Sequence, residues 1–480
     1  MRRGDAGRTT VVLAVVIVLL ASLVGGGYLA YDNGLLDRFL DKERAAPAEL
    51  PPPAGVSLPD AARPAPVLAA AAGPAPNRVA LRRRLSPLLK DGDLGPHRGV
   101  LVQDLSTGKE LLRAGGRDLF TPASTLKILT SVAVLDQLGP DHRFTTSVVR
   151  GAAPNQLVLV GGGDPLLART PPRRGVHEYP KRATTYDLAR RTATALKADG
   201  VTQVTVTYDG SLFAGPAENP AWEAAYVPDG VVSRISALWV DEGLEKGGAG
   251  RSASPGRAAA ETFAAQLDRR GITVRGRPTP RKAPVDAETV AAVESSPLDQ
   301  VVAHTLLVSD NEGAEVLLRH VALAAGRPGS FGEGVKAMVR TLTGLGVDMS
   351  RARLYDGSGL ARRNRLPLDT LVETLAVAAD PDRAALRSAV TGLPVAGFSG
   401  SLDVRFDAEL RPPTKPGLGV VRAKTGTLSG VHGLAGVVLD RDGAALVYAA
   451  VADRVRLENT LDARATLDDL SAALASCCPR

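Results

Sequence analysis

The chain has 480 residues, enough for roughly two to four folding units at about 100–200 residues each. An apolar content of 44% supplies a packed core and excludes global disorder. The net charge of +7 (58 Lys+Arg against 51 Asp+Glu) forms no basic block, and aromatics are only 4%, so composition argues against a nucleic-acid partner.

Residues 11–30, VVLAVVIVLLASLVGGGYLA, carry no charge. As a helix they would reach about 30 Å, one hydrocarbon core. Arg2, Arg3 and Arg8 precede them, which predicts residues 1–10 as cytoplasmic and the rest of the chain as extracytoplasmic. An uncleaved transmembrane anchor is the expectation; a cleaved signal sequence, with a secreted product, is its rival. Residues 31–77 read as a linker, and 45–76 hold nine of the 34 prolines, a composition that favours extended backbone over a core.

The globular chain is expected in three stretches: 78–149, an insert over 150–294, and 295–480. Residues 99–105 and 109–113 read as strands about a Ser106-Thr107-Gly108 turn. Residues 431–439 and 444–452 read as a second hairpin around Asp440-Arg441-Asp442-Gly443, and 459–476 as a helix. These outer segments would share one antiparallel sheet. Residues 184–199 and 257–270 read as helices that stop at Gly200 and Gly271 and lead into strands, which predicts a small α/β insert. Cys477 and Cys478 are the only cysteines. They exclude a disulfide framework, an iron–sulfur cluster and a cysteine zinc site, and their adjacency is a poor geometry for pairing with each other.

Three motifs carry chemistry: Ser124-Thr125-Leu126-Lys127, Ser309-Asp310-Asn311 and Lys424-Thr425-Gly426. Each alone is common; in this order they are specific. Thr121-Pro122-Ala123 reads as a helix start with Thr121 as cap, placing Ser124 in the first turn. Ser124 and Lys127, three apart, share a face. A serine hydroxyl needs a base, and a lysine serves only when neutral. Burial and a second cation, for which Lys424 is the candidate, would lower its pKa. Ser309 and Asn311 would point to one side of an extended loop, Ser309 relaying a proton and Asn311 holding a substrate amide. Residues 420–427 read as a strand. Lys424, Thr425 and Thr427 suit a carboxylate, Gly426 permits close approach, and the Ser124 and Thr427 backbone N–H groups suit an oxyanion hole. This chemistry asks for no metal or cofactor.

With Gly162-Gly163-Asp164-Pro165-Leu166, Tyr208-Asp209-Gly210-Ser211-Leu212-Phe213, Asp356-Gly357-Ser358-Gly359-Leu360 and Leu393-Pro394-Val395-Ala396-Gly397, these motifs resemble the low-molecular-mass class C penicillin-binding proteins, the D-alanyl-D-alanine carboxypeptidase/endopeptidases of peptidase family S13. The resemblance implies an α/β (α+β) fold. A serine transpeptidase/β-lactamase-like domain, an antiparallel sheet with flanking helices plus a helical subdomain, would be interrupted by an α/β insert. The penicillin-binding domain would then be 78–149 with 295–480. Family members usually carry two inserted domains; the short run from Trp239 to the 257–270 helix leaves room for one. The resemblance implies Ser124 as acylated nucleophile, Lys127 as its base, Ser309 and Asn311 as assistants, and Lys424, Thr425 and Thr427 as carboxylate ligands. Asp209 falls where the family's insert approaches the substrate side chain. The implied partners are peptidoglycan stem peptides and β-lactams, with the membrane through the N-terminal segment. The rival functions are a non-catalytic wall-binding module and a β-lactamase.

Overall fold

The computed structural model describes residues 73–477 except 154, 246, 249, 408, 410 and 411. The expected membrane segment at 11–30 and the linker as far as residue 72 lie outside the described residues. Among the described residues no helix is long and apolar enough to cross a membrane.

Helix α1 (Arg78–Leu89) begins where the Asn77 side chain accepts the backbone N–H groups of Val79 (2.9 Å) and Ala80 (3.2 Å). Strands β1 (Arg98–Asp104) and β2 (Glu110–Ala114) form the first hairpin. Helix α2 (Lys127–Leu138) is followed by β3 (Thr145–Arg150), β4 (Gln156–Val160), α3 (Thr185–Ala198), β5 (Gln203–Asp209), α4 (Pro255–Asp268), β6 (Thr273–Val274), β7 (Thr279–Pro280) and β8 (Thr289–Glu294). Helices α5 (Leu298–Leu307), α6 (Asn311–Ala324), α7 (Phe331–Gly344), α8 (Leu368–Ala379) and the short α9 (Ser388–Thr391) come next. Strands β9 (Arg422–Leu428), β10 (Val431–Leu439) and β11 (Ala445–Ala452) and helix α10 (Thr460–Ala475) complete the described chain.

The first sheet has the order β2-β1-β11-β10-β9. Its pairings are antiparallel, with Arg98 opposite Ala452 and His432 opposite Thr427. Period-two alternation gives it two apolar faces. Leu101, Val447, Ala449 and Val451 join the core built with α2, α5, α6 and α8, while Val100, Val102, Leu446, Tyr448 and Ala450 join the core built with α1 and α10. A sheet buried on both sides holds its outer strand β9 firmly, and β9 carries the third motif.

The second sheet, β6-β5-β4-β3-β8, is mixed: β4 and β5 are parallel, β3 pairs antiparallel with β4 and β8. Helices α3 and α4 cover it through Leu188, Leu196, Phe263 and Leu267. Val227, Val232, Ile235 and Trp239 from the following loops pack against Val316 and Phe331 of the helical region. Arg319, buried in α6, holds this contact by donating to the carbonyls of Ala214 (3.0 Å) and Pro216 (2.6 Å), its guanidinium 4.1 Å from the Phe331 ring.

Candidate active site

The chain enters the first motif through backbone strain. Ala123 has φ +47°, a left-handed conformation that non-glycine residues rarely adopt. Residues Ala123–Leu126 form a 3-10 turn, and α2 starts only at Lys127. The expected Thr121 cap is absent: the Thr121 hydroxyl accepts from Arg365 Nη1 (2.9 Å), and its backbone N–H donates to Asp453 (2.7 Å). The tight turn takes over the positioning of Ser124. Thr125 secures it, donating from its hydroxyl to the Pro122 carbonyl at 2.7 Å.

Lys127 is fully buried. Its Nζ lies 3.0 Å from Ser124 Oγ, 2.8 Å from Asn311 Oδ1 and 2.8 Å from the Ser358 carbonyl. An ammonium donates to all three. A neutral amine has two N–H donors and a lone pair, so it can keep Asn311 and Ser358 and accept the Ser124 proton. Burial pushes the Lys127 pKa down to about 8, against the opposing pull of Asp310, Glu315, Asp356 and Glu312. Burial is the largest of these effects on Lys127. Lys424 is likewise held well below its ordinary value, by burial first and then by the charges of Lys127 and Arg405, and the repulsion between the two lysines is mutual.

The second motif is not the extended loop expected. Ser309 is left-handed (φ +61°), Asp310 caps α6 by accepting from Gly313 N (2.9 Å), and Asn311 is the first helical residue. Asn311 thus turns its Oδ1 to Lys127 while its Nδ2 donates to the Val231 carbonyl (3.0 Å), tying Lys127 to the loop after β5. Behind this turn, acidic side-chain atoms of Glu242, Asp310 and Glu312 lie within 4.8 Å of one another. Burial raises all three carboxyls, Glu242 to about 9 and Glu312 to about 7. Glu312 accepts from Ser233 N (2.9 Å) and pairs with Arg251 (3.0 Å).

On β9, Lys424 and Gly426 alternate with Thr425 and Thr427. A Cβ on Gly426 would lie 2.7 Å from the Pro122 carbonyl and 3.1 Å from Thr125, so glycine lets the strand lie against the Ser124 turn. Lys424 Nζ donates to the Thr425 carbonyl (3.1 Å) and lies 3.4 Å from Thr425 Oγ1. Lys424 and Thr425 are buried; Thr427 is exposed. The structure therefore puts Ser124 and Asn311 each in direct contact with Lys127 and sets β9 against the Ser124 turn.

Several contributors had no functional signal in the sequence. Ser358, whose carbonyl meets Lys127, sits in a loop held by Glu315 and Asp356. Glu315 accepts from the backbone of Gly357 (3.1 Å) and Ser358 (2.8 Å). Asp356 accepts from Gly359 N (3.1 Å), Ala361 N (2.6 Å), Asn364 (2.7 Å) and Trp222 Nε1 (3.0 Å). Gly359 has φ +87°, and a Cβ there would lie 1.9 Å from the Ala123 carbonyl. The motif Asp356-Gly357-Ser358-Gly359 was visible, but a role played by a carbonyl oxygen was not. Ser401 touches Thr425, Oγ to Oγ1, at 2.8 Å.

Other expectations shift. Asp209 spends its carboxylate on the backbone N–H groups of Ser211 and Ala283, both at 2.8 Å. His432 is 1% exposed because its face of β10, shared with Leu434 and Val438, packs toward α10. Arg362 donates to the Ser429 carbonyl (2.7 Å), and Arg363 stacks on Tyr355 (4.5 Å). Cys477 is buried and disulfide-bonded, so it offers no free thiol.

A serine whose nearest base is a buried lysine, on a helix packed under an antiparallel sheet, defines a serine hydrolase of the Ser–Lys type. The family model for D-Ala-D-Ala carboxypeptidase 3 (S13) matches residues 81–248 and 244–474. The chain belongs to that family and is a serine-type D-Ala-D-Ala carboxypeptidase. It is 36% identical over 401 residues to a carboxypeptidase of Mycobacterium tuberculosis, covering 82% of this chain and 84% of that one. It is 34% identical to carboxypeptidase DacB of Mycolicibacterium smegmatis over 477 residues, 98% and 96% of the two chains. The crystal structure of penicillin-binding protein 4 from Haemophilus influenzae has the same fold (TM-score 0.65, 21% identity, 83% of this chain and 98% of that chain covered).

Proposed function

We propose that Ser124 attacks the carbonyl between the two terminal D-alanines of a peptidoglycan stem peptide. The contact of buried Lys127 with Ser124 Oγ at 3.0 Å carries this reading. Neutral Lys127 takes the hydroxyl proton as Oγ bonds to the carbonyl carbon, with the oxyanion held by the Ser124 and Thr427 backbone N–H groups. The C–N bond then breaks, and the proton passes through Ser309 to the departing D-alanine amine. Water cleaves the resulting ester and frees Ser124. Lys424, Thr425 and Thr427 take the terminal carboxylate, Gly426 gives them access, and Asn311 keeps the base in place. Crosslink peptide bonds are cut in the same way where the cleft admits them.

β-Lactams acylate Ser124 because they present a strained amide beside a carboxylate. Incubating the protein with a labelled penicillin and mapping the adduct by mass spectrometry tests this. Label on the Ser124 peptide, together with D-alanine release from a pentapeptide, is the expected result. Label elsewhere or none removes the reading, and label without D-alanine release favours the wall-binding module.

The two buried lysines share charge. At pH 7 a Lys127 titrating at about 8 is neutral in about a tenth of molecules. A carboxylate arriving at Lys424 favours the charged amine there, and repulsion then drives Lys127 toward its neutral form. Raising pH deprotonates Lys127, so kcat/KM rises about tenfold per pH unit below its pKa and levels off above it. The limb in kcat, which reports the bound state, falls at lower pH than the limb in kcat/KM. A flat profile from pH 6 to 9 would contradict Lys127 as base.

We further take residues 150–294 as one α/β insert and 78–149 with 295–480 as the penicillin-binding domain. The separate apolar core of the second sheet supports an insert, but β3 (Thr145–Arg150) pairs within that sheet, so the insert starts nearer residue 145 than 150. The enzyme acts outside the cytoplasm, where its substrate is, with residues 11–30 as tether; their length and lack of charge support this.

A further inference from the structure

The hydroxyl of Thr425 has a partner outside its own strand. Ser401 Oγ lies 2.8 Å from Thr425 Oγ1, and Lys424 Nζ approaches the same oxygen at 3.4 Å. Ser401 is half-buried in the Gly400–Leu402 turn, and Thr425 is 8% exposed. The turn is held from several directions. Gly397 N donates to the Leu402 carbonyl (2.9 Å), Ala396 N to Val421 (3.0 Å), and Ala423 N returns to Pro394 (3.0 Å). Gly400 has φ +58°, and a Cβ there would lie 2.2 Å from the Leu307 carbonyl. Four residues on from Ser401, Arg405 is locked to Asp468 of α10. The Ser401 hydroxyl is therefore presented to Thr425 by a braced backbone.

We infer that Ser401 is a positioning residue that aims the Thr425 proton at the terminal carboxylate of the substrate. A threonine hydroxyl has one proton and two acceptor sites. When Ser401 donates to one site and the Lys424 amine faces the other, the Thr425 proton is left to point away from both. A carboxylate only accepts, so it binds best to a hydroxyl already committed as donor. Without Ser401, Thr425 keeps its hydroxyl but loses the neighbour that sets its direction. This inference rests on the proposed carboxylate role of Thr425.

The test compares two acyl donors: an N-acyl-D-alanyl thioester whose leaving group ends in a carboxylate, and its methyl ester. The readout is the ratio of their kcat/KM values, which a general loss of fold or of base would not move. Ser401→Ala lowers the ratio about fivefold, the weight of one net hydrogen bond, and Ser401→Thr preserves it. Equal loss on both donors, or no change, overturns the inference. Thr425→Val is measured alongside. A fall in its ratio with none for Ser401→Ala defeats the Ser401 inference alone. An unchanged ratio for Thr425→Val defeats the carboxylate reading and this inference with it.

Discussion

Lys127→Met lowers the rate of acylation by labelled penicillin about 10²–10⁴-fold, the range for loss of a general base. The substitution keeps most of the side-chain volume and removes the only amine in contact with Ser124 Oγ among the described residues. Two effects on stability oppose each other. Asn311 Oδ1 and the Ser358 carbonyl lose a donor, about 1–3 kcal/mol for each acceptor left unsatisfied. Against this, the fold no longer desolvates an amine that is wholly buried. Urea unfolding should therefore change much less than the acylation rate does. Acylation at the unsubstituted rate would show that another group removes the Ser124 proton.

Arg405→Ala destabilises the fold by about 3–5 kcal/mol, because it strands a buried charge. Arg405 Nη2 and Nε meet the two oxygens of Asp468 at 2.6 and 3.1 Å, and Nη2 also donates to the Arg464 carbonyl at 3.2 Å. The side chains are only 7% and 9% exposed. Burial raises the Asp468 carboxyl while Arg405 draws it down, so deleting the guanidinium leaves the burial penalty unopposed. The midpoint of urea unfolding should fall with little change in slope. The double variant Arg405→Met, Asp468→Leu should recover most of the loss, since well-packed apolar residues of similar volume can replace a buried pair. A loss under about 1 kcal/mol for Arg405→Ala would show that water reaches Asp468. The pair also braces the turn bearing Ser401, so acylation of substrates with a terminal carboxylate should slow as well.

Much of this arrangement could be read along the chain because its determinants are local. Short apolar runs marked β1, β10 and β11, and Asp440-Arg441-Asp442-Gly443 marked the β10–β11 hairpin. Three-residue spacing put Ser124 and Lys127 on one face even though the turn between them is 3-10, since that geometry too brings residues three apart into line. Glycine at 426 foretold a close approach, and the structure supplies the Pro122 carbonyl that requires it.

What local pattern could not carry is set by distance along the chain and by the backbone itself. The left-handed Ala123 and Ser309 are ordinary residue types in unusual conformations, held there by contacts from elsewhere in the fold. The Ser358 carbonyl that meets Lys127 has no residue type to announce it, and it is 231 positions away. Asp468 lies 63 positions from Arg405, and Ser401 lies 24 from Thr425. The charge states depend most on the fold. The sequence offered Lys424 as a candidate second cation beside Lys127, but only packing decides how much water each lysine loses, and desolvation is the larger effect for both. Residue order thus determined which groups are available, and tertiary burial decided which of them can give up a proton.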